Sequence, residues 1–416
     1  MKVIIVGGGI GGLTTALSLR EAGIETLVFE AAPRVDALGL GINLQPNAVR
    51  ELTELGLAAK LAEIAWPIEE LAFYNRHGQR IWAEPRGTAG GYRWPQYAIN
   101  RGLLQVALFE EACARLGRDR ILVGHRLVGF EQDETGVTAH FAGPDGGERI
   151  RSERGDILIG ADGLHSLVRG HFYPDQKLHY GGQLMWRTAV PATPFLSGRT
   201  MIIAGHRNQK VVAYPMAPLA DGRAVLNVIT ELGEPSGAPP REDWNRKVDK
   251  TRFAASFASW TFDWLDVPKL IDQAESFFEF PKIDRDPVPQ WTFGRVTLAG
   301  DAAHPMQPVG SQAGSQAIVD ARVLVFHLAR NRHDPRAAIR EYESERLPPM
   351  REVALRNRAM GAEIVMDLVE ERAPNGFTNI DDVLPRAERE QRAADFKKTA
   401  GLDAQYLNER PSYSVA

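Results

Sequence analysis

The chain has 416 residues, 44% of them apolar and 25% charged, the balance of an ordinary globular protein long enough for two cores. A net charge of −4 gives no general attraction to nucleic acid or to an anionic membrane surface, and no apolar run reaches spanning length. A single cysteine, Cys113, excludes an intramolecular disulfide and a cysteine-based zinc site, so no metal is expected. Cys113 falls in an apolar helical pattern with Leu104, Ala107, Leu108 and Leu116, where a buried structural thiol is expected. The first residues already read as a strand, which leaves no room for a signal peptide and points to a soluble, cytoplasmic protein.

Val3–Val6 is a β-branched run followed at once by Gly7-x-Gly9-x-x-Gly12. Gly7 permits the tight turn, Gly9 lets backbone approach a pyrophosphate, and Gly12 lets the next helix pack close to the strand. That helix opens at Ile10 and Gly11, and its free N–H groups and dipole favour a diphosphate. A second strand, Thr26–Phe29, ends at Glu30 and Ala31. Glu30 stands about 20 residues beyond the glycines, where a carboxylate accepts hydrogen bonds from an adenosine ribose.

A loop with Gly39-x-Gly41-Ile42-Asn43 follows, then two short helices, then the alternating strands Leu71–Tyr74 and Arg80–Ala83. Asn100 is placed to cap a helix over Arg101–Arg115. A hairpin over Ile121–Gln132 and Gly136–Phe141 precedes a strand, Asp156–Ile159. That strand runs into Gly160-Ala161-Asp162-Gly163-x-His165-Ser166-x-x-Arg169, which taken alone is also an Asx-turn capping a helix. Between His179 and Lys282 the pattern becomes alternating, with strands expected over Gln183–Val190, Thr200–Ala204, Lys210–Met216 and Ala224–Thr230. This predicts an antiparallel sheet with one covered face. Gly233–Pro240 is rich in proline and glycine, and a helix with Trp244 is expected after it.

Arg295–Ala299 returns to a buried-strand pattern and ends at Gly300-Asp301. Pro305, Pro308, Gly310, Ala313 and Gly314 lead into helices expected over Gln316–Arg330 and Pro335–Arg358. A helix starting near Gly314 aims free N–H groups at whatever precedes it. From about Ala373 the chain is charged and weakly patterned. The two glycine-containing turns, one near each end, together point to FAD. The fold class is α/β (α+β). A Rossmann-like FAD-binding domain is expected over 1–70, 98–180 and 284–365. An inserted antiparallel β-sheet substrate domain takes 71–97 and 181–283, and a C-terminal helical tail takes 366–416.

These runs, in this order and spacing, resemble the single-component (class A) FAD-dependent aromatic hydroxylases over about residues 1–365. Gly41-Ile42-Asn43-Leu44-Gln45-Pro46, Glu84-Pro85-Arg86-Gly87, Met185-Trp186-Arg187, Val212-Ala213-Tyr214-Pro215 and Ser315-Gln316-Ala317-Ile318 resemble the branch acting on methylphenazine carboxylates. The resemblance implies non-covalent FAD, a transient NADH or NADPH, O₂, and hydroxylation of an activated aromatic or N-heteroaromatic ring through a flavin C4a-hydroperoxide. It implies that Glu30 holds the adenosine ribose, that Arg101 and Asp301 contact the diphosphate or ribityl region, and that Gly310–Gly314 cradles the isoalloxazine. Asp162-Gly163 serves both FAD and the nicotinamide cofactor. Tyr214 is the first candidate to orient substrate; Trp186 and Arg187 come second, Arg187 as a partner for a carboxylate. Gln312 stands where many members have glycine, and Pro305 is expected to line the flavin face. His304 is expected as a supporting hydrogen-bonder. Asn47 and Lys210 stand near points where related pyridine and benzoate hydroxylases carry histidine. The partners expected are a small aromatic substrate and O₂, with no nucleic acid and no membrane, in a monomer or homodimer. A non-oxygenating FAD dehydrogenase or oxidase of the same fold is the alternative.

Overall fold

The structure, a computed structural model, describes residues 1–37, 39–234 and 246–415. Short runs of Val, Ile and Leu build a six-stranded sheet. Its order is Thr292–Phe293, Val296–Leu298, Ile157–Gly160, Lys2–Val6, Glu25–Glu30, Ile121–Val123. Every join is parallel except that of the Thr292–Phe293 edge. Val3, Ile4, Ile5, Ile157, Leu158, Val296 and Leu298 are fully buried, as a parallel sheet covered on both faces requires. The helix Ile10–Glu21 packs on Ala313–Arg330, the two being so close that a β-carbon on Gly11 would lie 3.4 Å from that of Ala317. Residues from both ends of the chain therefore meet at the carboxyl ends of the central strands.

The second large sheet has eight strands, and its middle is the run Phe277–Arg285, Leu178–Ala192, Ala224–Gly233, Gln209–Pro218, Thr200–His206, Glu70–Tyr74. All of these joins are antiparallel but one, the parallel pair Thr200–His206 and Glu70–Tyr74. Alternation sorts the side chains. Ile202, Ala204, Val211 and Ala213 point to a core with Phe253, Phe257 and Trp260. Met201, Ile203, Val212 and Tyr214 point to the other face, where Val365, Met366, Val369 and Leu384 join them. The expectation of one covered face is thus corrected: the C-terminal segment covers the second.

Other elements differ from the sequence pattern for local reasons. Ile121–Gln132 is not one strand, because Gly124 at φ +72° turns the chain. Ile121–Val123 joins the parallel sheet, while Arg126–Gln132 pairs with Val137–Ala142, and that with the charged strand Arg149–Gly155. The Gly39–Asn43 loop becomes the strand Gly41–Leu44, paired to Gln96–Asn100. Cys113 is half-buried, its Sγ 3.7 Å from an Arg118 guanidinium nitrogen. The expected helix with Trp244, and most of Gly233–Pro240, lie outside the described residues. The end of the chain forms the helices Ile380–Val383, Arg386–Thr399 and Ala404–Glu409. Among the described residues, no helix is long and apolar enough to cross a membrane, and no group of His, Cys, Asp and Glu is placed to hold a metal ion.

Candidate active site

Gly7 leaves the first strand at φ +109°. A β-carbon there would sit 2.3 Å from the Ala161 carbonyl oxygen, and one on Gly12 would sit 2.0 Å from that of Gly7. Only glycine admits this approach of strand, turn and helix. A β-carbon on Gly9 would meet nothing within 4 Å. Gly9 starts the Ile10–Glu21 helix without a side-chain cap, so the N–H groups of Gly9, Ile10, Gly11 and Gly12 are left for an anion. Open space above Gly9, bordered by free N–H groups, fits the diphosphate of a dinucleotide. Glu30 stands at the rim. Its carboxylate accepts from the Gly8 and Ala32 N–H groups at 2.6 and 2.7 Å, beside Ala31, and each oxygen keeps a second lone pair for a ribose hydroxyl.

Asp301 follows the Val296–Leu298 strand in the one-turn helix Gly300–Ala302. Asp301 is exposed, although protein crowds its carboxyl. Burial raises its carboxyl above the usual range, opposed by the charges of His304 and Arg101. Arg101 is exposed at the first turn of Arg101–Leu116, which Asn100 caps through the Gly102 and Leu103 N–H groups. Beneath Asp301, the Asp320 carboxylate accepts from the Gly300 N–H, from His304 Nε2 at 2.5 Å and from Arg346 Nε at 2.7 Å. Burial works against that ionised carboxylate, but His304 and Arg346 outweigh it and hold its pKa down at about 2. Arg169 fastens the next turn by donating to the Ala302 and Ala303 carbonyls.

Several expected site residues have their polar groups engaged elsewhere. The Asp162 carboxylate accepts from Ser166 Oγ and from the Leu167 and Val168 N–H groups. It caps the helix Leu167–Phe172, and the Ala161–Gly163 backbone borders the first glycine turn. Pro305 is buried beside Trp291 and His304 at a small separate cavity, not at the large one. Gln312 donates to the Gly310 carbonyl at 2.8 Å and accepts from Gln316 Nε2 at 3.1 Å. Its amide holds the turn rather than reaching outward. That turn carries Gly310 at φ +68° and Ser311 at φ +55°. It leads into Ala313–Arg330, a second helix whose first N–H groups have no side-chain cap, matched to partial negative charge on a ring edge.

The large cavity lies between this turn and the second sheet, with about 1070 Å³ of empty space including its open mouth. Gly41, Pro308, Gly310, Ala313 and Gly314 border one side; Phe73, Met185, Met201, Val212, Tyr214 and Ile229 border the other. Gly41 is gripped from the sheet. Its N–H donates to Asn227 Oδ1 at 2.8 Å, and its carbonyl accepts from Tyr214 Oη at 2.7 Å and Arg187 at 2.6 Å. Tyr214 and Arg187, the expected substrate-orienting pair, therefore first fix the Gly41–Leu44 strand. Burial pushes the Tyr214 phenol up to about 12 and pushes the Arg187 guanidinium down. Arg187 keeps a buried Nε without a hydrogen-bond partner among the described residues.

Sequence reasoning singled out Lys210 but missed the charged wall to which it belongs. Lys210 Nζ lies 3.0 Å from Glu231 and 2.7 Å from Glu363, and Lys282 Nζ lies 3.4 Å from the same Glu231 oxygen. All four residues are at most 4% exposed. Burial would raise the Glu231 carboxyl, but the two ammonium groups hold it low. Asn227 and Phe396 were missed too, for no local motif marks either.

A dinucleotide cradle at the carboxyl end of a parallel sheet, a second uncapped helix, and a part-apolar cavity against another sheet define an FAD enzyme with room for a ring beside its flavin. Residues 1–357 match the FAD binding domain family. The chain is 41% identical over 362 residues to the phenazine 1,6-dicarboxylic acid hydroxylase of Lysobacter antibioticus, covering 86% of this chain and 89% of that protein. It is 36% identical to a 3-amino-4-hydroxybenzoate 2-monooxygenase of Streptomyces platensis, covering 87% and 88%. The HpxO protein of Klebsiella pneumoniae, solved with FAD and uric acid, superposes with a TM-score of 0.75 at 26% identity, covering 97% of this chain and 96% of that one. The chain belongs to this FAD-binding family as a class A flavoprotein hydroxylase, a FAD-dependent monooxygenase of aromatic substrates that takes NAD(P)H as transient reductant.

Proposed function

We propose that the protein hydroxylates a planar aromatic or N-heteroaromatic carboxylate, taking one O₂, one NAD(P)H and one proton per turnover and releasing water and the oxidised nicotinamide. An aromatic C–H becomes C–OH; the second oxygen atom leaves as water. Bound FAD supplies the electron transfer and the oxygen activation. The chain's own residues bind, orient and keep water out. Glu30 takes the adenosine ribose, Arg101 and Asp301 the diphosphate or ribityl region, and the Gly310–Gly314 turn the flavin ring.

The observation that carries the substrate class is the charge of the cavity wall. Arg86, Arg187 and Lys210 line it; Arg86 is paired with Glu84 and Lys210 with Glu231 and Glu363, which leaves Arg187 as the cation open to an anionic substrate. Arg187 Nε is a buried donor with no partner among the described residues, and leaving such a donor unmet costs about 1–3 kcal/mol. A substrate carboxylate meets that need, and the guanidinium fork suits it. Apolar side chains on the same wall suit a flat ring.

The test is NAD(P)H oxidation under air with aromatic carboxylates of one to three rings, scoring hydroxylated product and peroxide separately. Carboxylate-stimulated oxidation with product close to stoichiometric is expected. Stoichiometric peroxide with no oxygenated product from any of them would instead mark an oxidase.

A further inference from the structure

We propose that Phe396, on the C-terminal helix Arg386–Thr399, is a specificity-determining residue: an aromatic wall against which a multi-ring substrate packs. The inference rests on the hydroxylase reading of the same cavity. The match to the FAD-binding family ends at residue 357, yet Ala362, Glu363 and Phe396 border the cavity. The chain supplies this wall from outside the matched portion.

The seat of the ring is built for it. A β-carbon on Gly310 would lie 2.3 Å from Phe396 Cζ, and one on Gly361 would lie 2.9 Å from Cε2. Both glycines have positive φ, +68° and +50°. The ring thus rests edge-on between two backbones that no other residue type would leave so open. One of them is the turn expected to cradle the flavin, so the ring touches that turn and the cavity at once.

The helix carrying the ring is tied on several sides. Arg389 donates to the Ile81 carbonyl at 2.7 Å, Arg356 to that of Asp395 at 3.0 Å, and Gln316 to that of Ala400 at 3.0 Å. Lys397 Nζ lies 2.6 Å from Glu84, the carboxylate that also pairs with the cavity residue Arg86. Such fastening holds the ring in one place, as an aromatic contact surface needs. Rings packed offset or edge-to-face prefer centroid separations of about 4.5–7 Å. A substrate long enough to reach from the flavin turn to Phe396 gains that contact, and a single ring seated against the sheet does not.

The experiment titrates phenazine-1,6-dicarboxylate and 3-amino-4-hydroxybenzoate into FAD-loaded wild type, Phe396→Leu and Phe396→Ala, following the flavin absorbance. Phe396→Ala is expected to weaken the three-ring ligand about 10-fold while shifting the one-ring ligand less than about 2-fold, with Phe396→Leu in between. An unchanged ratio of the two affinities overturns the proposal, as does equal weakening of both. If Phe396→Ala does not retain FAD, the ratio in Phe396→Leu decides alone. Turnover of the wild type is read separately. Binding selectivity that shifts in the variants, with no hydroxylated product from the wild type, would sink the hydroxylase reading and leave the role of Phe396 intact.

Discussion

Gly41→Ala tests the grip of the sheet on the cofactor-side strand. The new β-carbon would lie 2.7 Å from Asn227 Cβ and 2.9 Å from both Asn227 Cγ and Tyr214 Cε2. Carbon atoms rest at about 3.5–4.0 Å, so strand and sheet must part by nearly 1 Å. Asn227 is fully buried and Tyr214 only 3% exposed, so neither swings aside. The same displacement lengthens the three hydrogen bonds on Gly41, now 2.6–2.8 Å, beyond the useful range. Overpacking of this kind costs about 1–3 kcal/mol in stability. A misplacement near 1 Å beside the reacting centre costs about 10²-fold in rate. The expected result is a FAD-retaining protein with a lowered melting temperature, slow hydroxylation and a larger fraction of NAD(P)H diverted to peroxide. Wild-type melting together with wild-type coupling would show that Gly41 is not under strain from the sheet, and the reasoning would fail.

Tyr214→Phe removes one donor from the Gly41 carbonyl while Arg187 remains, so a stability loss of about 1 kcal/mol is expected, with FAD retained and coupling reduced. The phenol titrates at about 12, so the defect should be the same from pH 6 to 9; a kinetic inflection in that range that vanishes in the variant would contradict this. Asp301→Ala should weaken FAD by about 1.5–3 kcal/mol, the value of a hydrogen bond to a charged group, and a flavin-fluorescence titration giving an unchanged Kd would remove Asp301 from the cradle. Asp320→Asn should cost stability at neutral pH. The folded carboxyl titrates at about 2, below an unfolded value of about 3.9. Its contribution, worth about 2.6 kcal/mol, is therefore complete above about pH 5 and lost progressively as pH falls towards about 1. Urea melts at pH 7 and pH 2.5 check this: the difference between wild type and variant at pH 2.5 should shrink to roughly a third of that at pH 7.

What could be read in the sequence is what is local. Gly7-x-Gly9-x-x-Gly12, the Asn100 cap and the Gly300-Asp301 turn each define their geometry within a few residues. The middle strands showed because alternation sorts their side chains onto two faces. Phe277–Arg285 did not show, because nearly every residue along it is buried and no polar alternation survives. Arg149–Gly155 did not show because it carries charges on a partly exposed edge. The site was harder still. Asp162 and Gln312 sit in the right turns, but whether a carboxylate or amide faces a ligand or its own backbone depends on neighbours the chain brings from elsewhere. Asn227, 186 residues from Gly41, and Glu363, 153 residues from Lys210, have no local signature at all.

The central strand Lys2–Val6 lies between Glu25–Glu30 and Ile157–Gly160, and the latter's outer neighbour is Val296–Leu298. During synthesis the first glycine turn therefore exists long before Asp301 and the Gly310 turn that face it. Closing so long a loop carries an entropy cost that grows only as the logarithm of its length, but the contacts that offset it arrive together and late, which makes such topologies slow to complete. Flavin retention in this protein is thus a report on the finished chain. A fragment ending before residue 296 keeps its complete dinucleotide fingerprint and should still emerge colourless.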